Sequence, residues 1–505
     1  MSKLIDRYSQ LSVALTEQVH AQACNHLLRD DGQEDLAFGL WYPSQGERRL
    51  TALVHELVLP KEGDRQVHGN VSFNPQFLTR ALKRAMERGA GLLLMHSHLG
   101  PGWQGMSPDD IRAESNNAGA VLSATNLPFL GLTLATDGAW SARLWCRTAP
   151  HKYELSWCYS ARVVGQRLLI TDHPKLRTRP VRGDEQERTE GVWGREGHAT
   201  INNLRIGVVG LGSVGSLVCE ALARQGVREI VLIDFDRIQP KNLDRTAGAT
   251  RRDIGRLKVH VAANHAHRCS TADHLMVNPV VSSVVESDGY RAALDCDLIF
   301  SCVDRPWGRQ VLNHIAYAHL IPVVNGGILV RLRGERLVGA DWHIHTVAPS
   351  RRCMECWKAF DPADVGLEME GMLDEPSYIK QMDPNHPLLR HENVFPFSMN
   401  VAALEFQQMA AMIMSDVPNV GDQNGHFIGG RFDRTTDTGC DADCLFTSRM
   451  GTGDFLKCFV GEDRFANRDK THCYSIAGYS RVLIDAYESR YGSEQSALRL
   501  ECFGY

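Results

Sequence analysis

The 505-residue chain is predicted to be α/β, an N-terminal α+β unit followed by a unit built on a mostly parallel sheet. Three observations predict this. From Leu204 onward, strand, glycine turn, helix and strand follow one another as RIGVVGLG, SVGSLVCEALARQG and REIVLID, the alternation that gives a parallel sheet with helices on its faces. Ahead of it lie a short apolar run between glycines, GLLLMHSH, and two strand-like segments, LTLAT and AWSARLW, separated by Asp137-Gly138, a two-residue hairpin signal. Between the halves, residues 173–200 are polar and charged, carry Pro and Gly, and show no apolar periodicity.

In chain order, residues 18–29 read as a helix and 34–41 as a strand. A second helix over 75–88 places Phe77, Leu78, Ala81, Leu82 and Met86 at helical spacing and stops at Gly89. The run 91–98 is a strand whose continuous apolarity predicts burial on both faces. After the glycine turn, a helix around 258–267, a strand at 297–302, a helix at 309–318 and a strand at 322–325 continue the second unit. The expected units are 1–172, a linker at 173–190, 191–455 and an extension at 456–505, where only 479–491 shows periodicity.

Composition narrows the function classes. With 43% hydrophobic and 23% charged residues and a formal net charge of -5 without blocks of like charge, neither a nucleic-acid arm nor a membrane patch is expected. Asp6 and Arg7 interrupt the start where a secretory signal needs apolar residues, and nowhere do 18 apolar residues run together, so a cytoplasmic protein is expected. Fourteen cysteines are too few for a disulfide framework in so long a chain, so close pairs point to metal.

His96 and His98 close the apolar strand two residues apart, and side chains at that spacing share a face. Asp110, from the first turn of a following helix, completes three ligands and leaves the fourth position open, as hydrolytic zinc requires. With Glu34 upstream and Ser107-Pro-Asp-Asp110 after a loop, the stretch resembles the JAMM/MPN+ (JAB domain) metallopeptidases. The resemblance implies zinc on His96, His98 and Asp110, Glu34 as general base and acid, and Ser107 helping to stabilise the oxyanion. Leu99 and Gly100 stand where many members have proline, and Ala37 where many have glycine.

Gly210-Leu-Gly212-Ser-Val-Gly215 joins a strand to a helix, whose N-terminal N–H groups suit a phosphate; by itself this fits nicotinamide cofactors and ATP alike, Asp234 serving as the ribose acid for either. Asp236, Asn242 and Arg245 in IDFDRIQPKNLDR, and Lys258 beyond, add cations that suit a triphosphate with a leaving pyrophosphate. Asp304 ends the strand DLIFSCVD at the usual ligand edge, where a carboxylate suits Mg²⁺. This set resembles the ubiquitin-activating superfamily in its compact ThiF/MoeB-like branch, over roughly residues 185–440. The resemblance implies a Rossmann-like fold, ATP and Mg²⁺, Lys258 on phosphate, Asp304 on magnesium, Arg309 at the start of the next helix, and a homodimer in which Arg188 reaches the partner's nucleotide.

Cys353-Met-Glu-Cys356 and Cys440-Asp-Ala-Asp-Cys444 offer a closed four-sulfur site for structural zinc, as that branch has. Residues 357–439 contain no cysteine where a thioester-forming relative needs one. Ser398 reads as a helix N-cap, and Cys458, Cys473 and Cys502 remain as other nucleophiles. Together the resemblances imply activation of a ubiquitin-like protein's C-terminus and zinc-dependent cleavage beside it, next to a conjugating-enzyme-like partner in a bacterial system, in some cases antiphage defence. Sulfur-carrier activation and a non-catalytic scaffold are the alternatives.

Overall fold

The computed structural model describes residues 7–458 except 69, 182, 383–385, 387–391, 415–419, 437 and 457. Cys473, Cys502 and the periodic segment 479–491 lie outside the described residues.

The first half runs β1 (Gln10–Thr16), α1 (Glu17–Leu27), β2 (Leu36–Gln45), β3 (Arg49–Val58), β4 (Arg65–His68), β5 (Asn70–Phe73), α2 (Pro75–Arg88), β6 (Gly91–Ser97), α3 (Pro108–Thr125), β7 (Phe129–Leu134), β8 (Trp140–Ala149), β9 (Lys152–Trp157), β10 (Ser160–Val164) and β11 (Leu168–Asp172). Nine of these strands form one mixed sheet in the order β11-β10-β1-β3-β2-β6-β7-β8-β9. Strand β6 is buried along its whole length, as its apolar run predicts. Leu93 and Met95 pack with Val19, Ala23 and Leu27 of α1, whereas Leu92 and Leu94 pack with Phe77, Ala81 and Ala85 of α2 and Ala118 and Val121 of α3. Each such side chain contributes about 1.5–3 kcal/mol when fully buried. The alternation continues into His96, which therefore falls on the face that α3 covers. The 137–138 hairpin needs one residue more than a two-residue turn: Gly138 N–H donates to Ala135 O, Ala135 N–H to Ala139 O, and Gly138 takes φ +84°.

The second half follows as α4 (Glu187–Trp193), α5 (Arg195–Asn203), β12 (Arg205–Val209), α6 (Ser213–Arg224), β13 (Glu229–Ile233), α7 (Lys258–Cys269), β14 (Met276–Val280), α8 (Ser287–Leu294), β15 (Leu298–Ser301), α9 (Pro306–Ala318), β16 (Val323–Arg333), β17 (Arg336–Val347), α10 (Pro362–Met369), α11 (Pro376–Ile379), α12 (Phe395–Ile413), β18 (Asp422–His426) and β19 (Arg431–Thr435). Its sheet has the order β14-β13-β12-β15-β16-β17-β18-β19. The first five strands are parallel and the last three turn antiparallel. Helices α6, α7 and α12 cover one face, α8 and α9 the other.

Local structure departs from the sequence expectations in three places. Polar residues 184–193 and 195–203 are helical rather than irregular, with a break at Gly194, and His198 and Ile201 give α5 a buried face. Strand β16 runs on through Gly326 and Gly327, where any Cβ would strike Glu405 and His343 respectively. Ser398 is not an N-cap: Pro396 presets the first turn, the helix begins at Phe395, and the Ser398 hydroxyl accepts from Asn393 Nδ2 at 3.0 Å inside it.

Buried charges join the halves. Asp297, at the foot of β15, accepts from Arg49 at 2.5 Å, Arg162 at 2.9 Å and Arg177 at 2.9 Å. Ser44 Oγ lies 2.7 Å from His319 Nδ1, and Asp295 accepts from the Arg48 and Arg49 amides. Among the described residues, no helix is long and apolar enough to cross a membrane.

Candidate functional site

Strand β6 delivers His96 and His98 to one point, where their Nε2 atoms stand 3.1 Å apart. Asp110 meets both, Oδ1 at 3.5 Å from His96 Nε2 and Oδ2 at 3.3 Å from His98 Nε2. Local chemistry at the start of α3 holds that carboxylate in place. Ser107 is the N-cap, its Oγ accepting from Asp110 N–H at 3.2 Å, while Asp110 Oδ2 accepts from Ser107 N–H at 2.7 Å. Burial raises the Asp110 pKa, but hydrogen bonds from His96 and His98 outweigh it and hold the carboxyl well below the usual range. The same bond to Asp110 draws the His98 imidazole upward.

Glu34 is half-buried just before β2, and its carboxyl is raised by burial against the lowering fields of His98 and His96. Its neighbour Asp35 fixes the segment: Asp35 N–H donates to Ser97 Oγ at 3.0 Å, Ser97 N–H donates to Asp35 O at 3.1 Å, and Arg65 pairs with the Asp35 carboxylate at 2.5 Å. Asp35 and Ser97 were missed in sequence, although each adjoins a motif residue. Two imidazole nitrogens and a carboxylate oxygen within 4.8 Å of one another suit a zinc ion with an open position.

In the second half, the turn from β12 to α6 is glycine by necessity. Gly210 takes φ +87°, and a Cβ on Gly215 would lie 1.9 Å from Gly210 O. A Cβ on Gly212 would meet nothing within 4 Å, so this glycine faces open space beside the first turn of α6. Asp234, at the end of β13, accepts from Leu211 N–H at 2.6 Å and Asp236 N–H at 2.7 Å; burial holds its carboxyl above the usual range, with Lys258 pulling the other way. Lys258 Nζ reaches Asp236 Oδ2 at 2.9 Å, and the fields of Asp234, Asp236 and Asp304 overcome burial to keep its ammonium raised. Asp304 is exposed two residues before α9.

The remaining predicted residues serve local contacts. Asn242 Oδ1 accepts from Gln239 N–H at 2.9 Å, and Arg245 donates to Lys241 O at 2.7 Å. The Ala247 amide donates to Ser216 Oγ at 3.0 Å, which ties this loop to α6. Arg309 ties the residue before Asp304 to the segment around Ala359, donating to Val303 O at 3.3 Å and Ala359 O at 2.7 Å. Arg188 is exposed on α4, apart from these groups among the described residues. Cys353, Cys356, Cys440 and Cys444 bring four sulfurs within 4.8 Å of one another, a group able to hold zinc. Tyr317 Oη stands 3.1 Å from Cys440 Sγ, and Cys353 N–H donates to that sulfur at 3.2 Å. Burial pushes the Cys458 thiol up to about 12, which makes it a poor nucleophile near neutral pH.

Residues 185–415 match the ThiF family. Over 140 residues the chain is 28% identical to the molybdopterin-synthase adenylyltransferase of Escherichia coli K12, covering 28% of this chain and 55% of that protein. It is 28% identical over 163 residues to the SAMP-activating enzyme E1 of Haloferax volcanii, covering 32% and 56%, and 27% identical over 209 residues to tRNA threonylcarbamoyladenosine dehydratase 2 of Saccharomyces cerevisiae, covering 41% and 45%. The chain thus spans about half the length of these relatives. Among solved structures, E. coli MccB with ATP aligns with a TM-score of 0.41 at 15% identity, over 53% of this chain and 75% of that one.

Proposed function

We propose that this protein uses ATP to adenylate the C-terminal carboxylate of a small ubiquitin-like carrier protein, and that its first half is a JAB-like zinc hydrolase acting beside that same C-terminus. The working units are 1–172 for hydrolysis, 191–455 for adenylation, 173–190 as the linker and 456–505 as an extension.

The observation that carries the adenylation reading is the Gly210–Gly215 turn bonded to Asp234, which is linked in turn to Asp236 and through it to Lys258, within the stretch matching the ThiF family. Asp234 would take the ribose hydroxyls, and the amides at the start of α6 would face phosphate. Lys258 exchanges its contact with Asp236 for the triphosphate and, with Arg245, neutralises the pyrophosphate as it leaves. A carrier carboxylate oxygen attacks the α-phosphorus, forming the acyl-adenylate. Asp304 would hold Mg²⁺, which spreads the charge on the phosphates. With no cysteine between 357 and 439 and a raised Cys458 thiol, we favour a reaction that stops at the acyl-adenylate over one that continues to Cys473 or Cys502, which lie outside the described residues.

In the first half, His96, His98 and Asp110 would hold zinc, which supplies an acidified water and polarises a carbonyl. Glu34, raised by burial, takes the proton of the attacking water and returns it to the leaving amine. Ser107 Oγ already accepts from the Asp110 amide, so its O–H remains available to donate to the developing oxyanion. The four cysteines would hold structural zinc. A homodimer in which Arg188 serves the neighbouring nucleotide site, and a conjugating-enzyme-like partner that receives the activated carrier, complete the reading.

The test is ATP–pyrophosphate exchange and mass spectrometry with ubiquitin-like proteins encoded beside this chain. Exchange is expected to require both carrier and ATP and to fall at least 100-fold in Asp304→Ala. Exchange that survives this substitution would overturn the role given to Asp304.

A further inference from the structure

We propose that Glu114, Arg143 and Thr133 are positioning residues that hold Asp110 in place for a divalent metal such as zinc; the inference rests on the zinc reading of that site. Glu114 follows Asp110 by four residues on α3, so the two share a helix face one turn apart. Glu114, Arg143 and Thr133 are each 0% exposed. From β8, Arg143 Nε donates to Glu114 Oε2 at 3.0 Å and Nη2 donates to Oε1, while Trp145 Nε1 donates to Oε2 at 2.7 Å. The remaining guanidinium nitrogen, Nη1, donates to Thr133 Oγ1 at 2.5 Å. That hydroxyl also lies 3.5 Å from His96 Nε2, and Thr133 stands opposite His96 in the parallel pairing of β6 with β7.

A single guanidinium therefore links the helix that carries Asp110 to the residue lying against His96. Through Glu114 it fixes the rotation of α3, and with it the direction of the Asp110 carboxylate. Thr133 in turn anchors the guanidinium by accepting from Nη1, because the His96 nitrogen it faces is the one a metal would occupy. Packing alone does not account for the set. A buried ion pair is commonly replaced by apolar residues without loss, and here β7 gives up a side chain to admit one, because a Cβ on Gly131 would stand 2.5 Å from Arg143 Nε and from both Glu114 oxygens. Polar groups behind metal ligands orient them, and their loss typically weakens metal binding 10–100-fold.

The experiment loads the full-length protein with zinc, measures metal content by elemental analysis, and withdraws zinc with graded chelator. Zinc at the four cysteines is the internal reference. Glu114→Gln and Thr133→Val are expected to release the His/Asp-site zinc at 10–100-fold lower chelator strength and to leave the cysteine-site zinc unchanged. Thr133→Val removes the acceptor of a buried guanidinium N–H and is expected to lower the melting temperature, so the unchanged cysteine-site zinc in the folded variant is what separates lost positioning from lost folding. Thr133→Ser, which restores the hydroxyl, should return the affinity to wild type. Wild-type retention in Thr133→Val and Glu114→Gln, in a protein whose second zinc disappears with His96→Ala, would overturn the positioning role alone. A wild-type protein with only the cysteine-site zinc would overturn the metal reading, and this inference with it.

Discussion

Asp110 does two jobs with one carboxylate: it closes the start of α3 through the Ser107 amide, and it faces both histidines. The pairing leaves the site short of a ligand if either ring is removed, while the cysteine group stands apart from it in the other half of the chain. His96→Ala is therefore expected to lower the zinc content from two ions per chain to one, read by elemental analysis. An unchanged count would remove the His/Asp group from the metal assignment.

At the scale of the element, the first turn of α3 is where stability and ligand geometry meet. Ser107→Ala deletes the N-cap, which costs about 1 kcal/mol and frees the Asp110 amide. The expected outcome is a lower denaturant midpoint together with weaker zinc retention. A drop in stability with zinc held as in wild type would show that the cap serves the helix and not the site. The opposite economy governs the turn before α6. There the backbone requires an absent side chain at two of the three glycines, since Gly210 takes a positive φ and a Cβ on Gly215 would strike the Gly210 carbonyl, whereas Gly212 borders open space.

Across the whole molecule, Asp297 is the buried hub between the halves, meeting Arg49, Arg162 and Arg177. Burial would raise its carboxyl, but the three guanidinium groups hold it well below the usual range. Its contribution to stability is thus in place above the ordinary carboxylate pKa of about 3.9 and is lost only as the pH falls through the lower folded value. Asp297→Ala leaves buried Arg49 and Arg162 without their carboxylate, while Arg177 keeps Asp172, and is expected to cost about 3–5 kcal/mol, read as a lower midpoint in equilibrium unfolding throughout pH 5–8. A variant as stable as wild type would show the hub to be dispensable. Assembly has its own test, because Arg188 is exposed and, among the described residues, is not joined to the proposed adenylation groups. Mixing Arg188→Ala with Asp304→Ala subunits should partly restore exchange, since one site in each heterodimer escapes both defects. No recovery after verified subunit exchange would mean that Arg188 does not serve the neighbouring site.

The sequence by itself determined the alternating pattern of the second half, the buried strand that ends in His96, and the spacing that lets His96, His98 and Asp110 converge. These are local matters, because two-residue and helical periodicities decide which side chains share a face, and a glycine turn declares itself wherever a Cβ cannot fit. Gly326 and Gly327 hid the length of β16 for a related reason: their need for space arises from Glu405 and His343, which are distant in the chain. Only the tertiary structure decided that Arg143 stands between Glu114 and Thr133, that Asp35 and Ser97 fix the segment holding Glu34, and that Asp297 ties three arginines across the halves. Buried charge pairing leaves no periodic trace, since an Arg on one strand and a carboxylate on a remote helix become partners only when the fold removes water from both.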